Sequence, residues 1–146
     1  MDEKNQSVNA LVTLQERMVN LINQLQMPLI EVSMVIGNHI KQLMKSLNEY
    51  SLDTGAVFPE KVTNPWELNV SNDINSHSKM ELDKILSIVD DDRMDILATL
   101  IRVTLIETEL NISEAILALR MWEHLARTQL ANATSPGQLF SPLIMP

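Results

Sequence analysis

Cysteine is absent from this chain, and that removes three kinds of chemistry at once. No disulfide framework, thiolate zinc site or cysteine nucleophile can be built. Glycine is scarce, with three in 146 residues, and no glycine-rich loop is available to wrap a phosphate. Aromatic residues make up 3%. Strand-rich folds draw on aromatic and β-branched side chains and on glycine turns, so this composition argues against them. Cations are the minority, eleven Lys and Arg against nineteen Asp and Glu, for a formal net charge of −8. They are also scattered, whereas displacing counterions from a nucleic acid needs them clustered, so no nucleic-acid partner is expected. No apolar run approaches the ~20 residues needed to span a bilayer. The opening residues, MDEKNQS, lack the basic-then-apolar order of a signal peptide. The expectation is a chain without a membrane span or classical signal peptide, cytoplasmic or built into a larger particle.

What is abundant is helix-forming. Leu, Ile and Glu are among the chain's commonest residues, with Met and Gln adding to them, and the unbranched ones lose little rotamer freedom in a helix. Val8, Leu11, Met18, Ile22, Leu25, Leu29, Val32, Ile36 and Leu43 follow gaps of three, four or seven, a heptad seam interrupted mainly by Gln15 and His39. A second row, Leu14, Leu21, Val35 and Ile40, widens the stripe beyond a bare coiled-coil seam. Pro28 lies in the middle. It has no N–H to give and crowds the carbonyl of Gln24, yet the periodicity passes through it. The pattern predicts one helix over 8–49, kinked at Pro28, with two helices meeting near Met27 as the alternative.

Residues 51–77 break the periodicity with Asp53–Gly55, Pro59, Asn64–Pro65 and an Asn/Ser-rich stretch, a long central loop. SKME at 78–81 has the form of a capping box, the Ser78 hydroxyl and the Glu81 carboxylate satisfying each other's backbone N–H groups. It predicts a short helix over 78–89. Residues 92–130 contain no Pro or Gly and predict a third helix, ~57 Å over 93–130 if unbroken. The expected fold is all-α: a single elongated helical bundle over 1–130, two long helices plus a short one. An irregular apolar tail occupies 131–146.

The stretch SIVDDDRMDIL, 87–97, is the densest acidic cluster. An EF-hand loop needs an oxygen ligand at its fifth position, Gly at its sixth and Glu at its twelfth. Counted from Asp90, Met94, Asp95 and Ile101 stand there instead. The pattern reads as a helix start, with Asp92 as cap and Asp95 favouring the positive end of the helix dipole. His39, His77 and His124 form no Glu-x-x-His or His-x-x-x-His motif, and no Ser or Thr has a base in context. No metal, cofactor, catalytic residue or small-molecule substrate is expected.

On a helical wheel, the polar residues of 93–130 (Asp95, Arg102, Glu109, Ser113, Arg120, His124 and Arg127) gather on one narrow face, leaving an apolar arc wider than a hairpin needs. Leu105, Ile112, Ile116 and Leu119 form a ridge beside that face and are the expected oligomer contact. In the tail, Leu139, Phe140, Leu143 and Ile144 are expected to dock in a groove. Together these features predict a non-enzymatic structural or assembly subunit that self-associates through long amphipathic helices, a homo-oligomer with protein partners. In composition alone it is similar to small secretion-apparatus subunits and phage structural proteins. The alternative is an acidic helical binding module, a chaperone, inhibitor or immunity-type protein masking a basic or apolar partner.

Overall fold

The computed structural model describes residues 3–68 and 82–145. Among the described residues there are six α-helices and no strand: α1 (Glu3–Leu25), α2 (Leu29–Thr54), α3 (Glu60–Thr63), α4 (Leu82–Ile88), α5 (Asp91–Thr108) and α6 (Ile112–Ala131). A 3-10 segment comes after them at Pro136–Phe140. The all-α bundle expected from composition is the observed fold. No helix among the described residues is long and apolar enough to cross a membrane.

Pro28 ends a helix instead of kinking one. Gln26 takes the left-handed conformation, φ 50°. Its N–H reaches the Asn23 carbonyl at 3.2 Å, and the Met27 N–H reaches the Ile22 carbonyl at 3.1 Å. These two bonds make a Schellman cap, with buried Met27 and Ile22 as its apolar contact. A kink would have kept most of the helical ladder. Here the C-terminal tail supplies other partners: the Leu29 N–H donates to Ser141 O at 2.7 Å, and the Met27 carbonyl accepts from the Leu143 N–H at 3.2 Å. An L-residue held left-handed costs roughly 1–2 kcal/mol. Gln26→Gly is therefore expected to raise unfolding free energy by about 1 kcal/mol, allowing for the extra freedom of glycine in the unfolded chain. Urea unfolding monitored by circular dichroism checks it; a loss of stability would mean that the Gln26 side-chain bond to the Asn23 carbonyl outweighs the strain.

The third expected helix is also two. Glu109 is left-handed, φ 54°, and closes α5. Asn111 then caps α6, its side chain accepting from the Glu114 N–H at 2.8 Å. Asn with Glu three residues later is a helix-start pattern, legible in the sequence but hidden there by the absence of Pro and Gly. The cap of α5 is Asp90, not Asp92: its carboxylate accepts from the Arg93 N–H at 3.1 Å. Asp92 and Asp95 are exposed on the first turns of the helix. The short helix α4 falls within the expected span, while Ser78 and Glu81, the expected capping box, lie outside the described residues.

α2 packs along α6 and α1 along α5, while α2 also meets α5, α3 lies on α6, and the 3-10 segment lies on α2. The fully buried core takes Leu14, Met18 and Ile22 from α1, Val32 and Ile36 from α2, Leu97 and Ile101 from α5, and Ile116 and Leu119 from α6. Full burial of each such side chain contributes about 1.5–3 kcal/mol. The tail docks on its own chain. Leu139 and Leu143 are buried, Phe140 is half-buried, and Ile144 is exposed in its side chain. Its backbone is nevertheless held: the Gln129 amide donates to Ile144 O at 2.6 Å and accepts from its N–H at 2.9 Å.

Candidate interaction face

The polar row expected on the third helix does not face solvent as a whole. Arg120, His124 and Arg127 lie at i, i+4 and i+7 of α6, and each meets a main-chain carbonyl of the central segment. Arg120 is buried. Its Nε donates to Val62 O at 3.0 Å, its Nη2 to Thr63 O at 3.2 Å, and its Nη1 to Glu123 Oε1 at 2.9 Å. The two carbonyls close the last turn of α3, which is too short to satisfy them internally. Arg127 donates to Trp66 O at 3.0 Å, and a His124 ring nitrogen lies 3.2 Å from Glu67 O. The Trp66 indole donates to Lys61 O at 2.9 Å and its ring sits 5.9 Å from that of His124. The segment is thus clamped by α6.

Glu31, Arg93 and Thr104 are also paired. Glu31, in the first turn of α2, is buried. Its Oε1 accepts from Arg93 Nε at 2.7 Å, and its Oε2 accepts from Arg93 Nη2 at 2.6 Å and from the Asp90 N–H at 3.1 Å. That hydrogen-bonded carboxylate holds the guanidinium pKa above its ordinary value. Buried Thr104 accepts from Arg17, which also pairs with Glu107 at 2.8 Å.

His39 sits on the seam between α2 and its neighbours with its ring buried. Burial, and then the Arg102 guanidinium, hold its pKa below 6.5, against a backbone hydrogen bond with Val35 that works the other way. The folded state therefore resists a proton that the unfolded chain accepts below about pH 6.5. Proton uptake then favours unfolding, so stability is full above that pH and falls as pH drops toward the folded pKa. His39→Gln is expected to flatten the dependence of the urea midpoint between pH 7 and 5. An unchanged slope would mean that other groups set it.

One open cleft, of about 850 Å³, lies where the N-terminal half of α1 meets the α5–α6 turn. Glu107, Glu109 and Glu114 line it with Asn9, Thr13 and Asn111. Among the described residues no three His, Asp or Glu side chains converge as metal ligands would.

The ridge expected to form an oligomer contact is not a ridge. Ile116 and Leu119 are fully buried in the chain's own core, Leu105 packs against that core half-buried, and Ile112 stands at the border of exposure at 36%. The break at 109–111 is the reason. A wheel carried unbroken from Arg102 places residues after 111 on a face they do not share, because they belong to another helix.

A different apolar row is exposed. On α5, Ile96 is 48% exposed, Val103 41% and Ile106 70%, and Thr99 is exposed between them. The gaps are three, four and three, which places the four on one stripe about 80° wide at 100° per residue. Leu97, Ile101 and Thr104, on the opposite side, are fully buried. Charges border the stripe: Asp95 and Arg102 along one edge, Glu107 on the other. The row was present in the sequence but could not be told from the core side, since both faces of α5 are apolar. Comparisons with family models, with curated proteins and with solved structures give no match for this chain.

Proposed function

We propose that this chain is a non-enzymatic assembly subunit that associates with a second copy of itself through the exposed stripe of α5. The observation that carries the reading is the 3-4-3 spacing of Ile96, Thr99, Val103 and Ile106 on the solvent side of a helix whose other side is already committed to the core. That is the repeat of a coiled-coil seam, with β-branched residues at all four layers and charges at its edges. Glu31, Arg93, Thr104 and Arg120 each have a structural partner; exposed apolar pairs also lie at Val8 and Val12 of α1 and at Leu117 and Met121 of α6, but among the described residues the α5 row is the longest one at heptad spacing.

Sedimentation or light scattering across a concentration range tests the proposal. Val103→Asp is expected to convert the dimer to a monomer with its helical circular dichroism intact, because a half-exposed position costs the free chain little. Ile116→Asp is expected to unfold the chain, since it puts a charge into a site with no polar partner. A wild-type chain that stays monomeric at every concentration overturns the assembly reading. It would favour an acidic binding module, for which the observation is the concentration of Glu107, Glu109 and Glu114 around one cleft, suited to a cationic segment of another protein.

A further inference from the structure

We infer that the two copies pair through α5 in parallel, related by a two-fold axis along the helices, with Arg102 of each reaching Glu107 of the other. This rests on the assembly reading and adds the direction and register of the contact. The reason is one of charge. With Ile96 and Val103 as the a positions and Thr99 and Ile106 as the d positions, Asp95 and Arg102 fall at g, and Leu100 and Glu107 fall at e. In a parallel pair, a g residue faces the e residue five places on in the other helix. Arg102 then meets the second copy's Glu107, twice per dimer, and Asp95 meets the second copy's Leu100. No like charges are opposed.

The antiparallel arrangement that stacks Ile96 on the second copy's Ile106, and Thr99 on its Val103, has its axis at residue 101. It places Arg102 beside the second copy's Arg102 and Asp95 beside its Glu109, both repulsive. The opposite charges it would bring together are Arg93 and Glu107, but Arg93 is held in a two-bond pair by Glu31. Arg102, by contrast, has no carboxylate within 4 Å among the described residues; its nearest side-chain partner is the Thr99 hydroxyl at 3.4 Å. Glu107 gives Oε2 to Arg17, which leaves Oε1 for a second donor. Four stripe residues per copy make a contact at the small end of the range for specific interfaces, below about 1,200 Å² in total. Association is therefore expected to depend on concentration.

The lack of cysteine makes the full chain a clean background for the test. A disulfide needs Cα atoms within about 7 Å. In the parallel pair, Val103 faces the second copy's Val103, so Val103→Cys is expected to form a disulfide dimer under mild oxidation, as is Ile96→Cys. In the antiparallel pair the two Val103 positions are offset along the axis by about 6 Å, four residues at 1.5 Å each. Neither single variant then links to itself, but a mixture of Thr99→Cys and Val103→Cys does. Arg102→Gln separates the same cases without a crosslink. It is expected to weaken a parallel dimer several-fold, and it would strengthen an antiparallel one by removing a like-charge contact. A dimer that links only in the mixture, or that tightens with Arg102→Gln, overturns the parallel arrangement and leaves the assembly reading standing. A dimer that links in neither test places the contact elsewhere and overturns the inference together with the face. A monomer throughout overturns both readings.

Discussion

Arg120→Ala is expected to lower the free energy of unfolding by about 3 kcal/mol or more. The guanidinium is buried and uses three of its nitrogens on three acceptors, the carbonyls of Val62 and Thr63 and the carboxylate of Glu123. Removing it leaves two carbonyls and a largely buried carboxylate without their donor. Each neutral group so stranded costs about 1–3 kcal/mol, and a charge more. Arg120→Met keeps the apolar stem but strands the same acceptors, so it should lose nearly as much. Arg120→Lys offers a point charge in place of a planar fork and should recover only part. Urea unfolding measures the loss. Hydrogen exchange at residues 59–67 should show the central segment opening before the rest. If Arg120→Ala costs under about 1 kcal/mol, then water replaces this clamp readily and α3 is held by Val62 and by the Arg127 and His124 contacts beyond it.

The second large effect is expected at the pair joining the start of α2 to the start of α5. Arg93→Ala should cost about 3 kcal/mol, because it leaves the Glu31 carboxylate charged in a buried site. The pair itself need not be net stabilising, since two desolvated ions repay their burial only through good geometry. Glu31→Leu with Arg93→Met should therefore recover much of what either single change loses. The four proteins make a double-mutant cycle, and a coupling of 0.5–3 kcal/mol is typical of residues in direct contact. Strictly additive losses in that cycle would show the two side chains acting independently and would remove the pair as the tie between the helices.

Much of the architecture is legible in residue spacing alone. Leu14, Met18 and Ile22, then Val32, Ile36 and Ile40, keep a helical period and are core. The apolar tail docks, with Leu139 and Leu143 as anchors. The helix ends were less legible, for two physical reasons. At Pro28 the residue type warned of a break, but local sequence does not separate a kink from a termination. The choice went to termination because Ser141 and Leu143, over a hundred residues away, offer partners to the freed backbone groups. At 109–111 no Pro or Gly is present, and the break rests on Glu109 accepting a strained left-handed conformation so that Asn111 can cap α6. The oligomer ridge failed with that helix, as residues on either side of a break share no wheel.

The polar face of α6 shows the same division. That Arg120, His124 and Arg127 share a face comes from a 3.6-residue period. That they hold carbonyls 57–61 residues away in sequence comes from the path of the central segment, which local spacing does not encode. Residue spacing is a property of a single helix, and it was enough for helix content and the core rows of α1 and α2, while composition alone excludes cysteine chemistry. Helix boundaries, the cap at Asp90, the pairing of Glu31 with Arg93 and the choice of which apolar side of α5 stays outside all depend on groups distant in the chain. Each was decided by which backbone and charged groups found partners once the helices packed, because a buried polar group left unpaired costs more than a local propensity can offset.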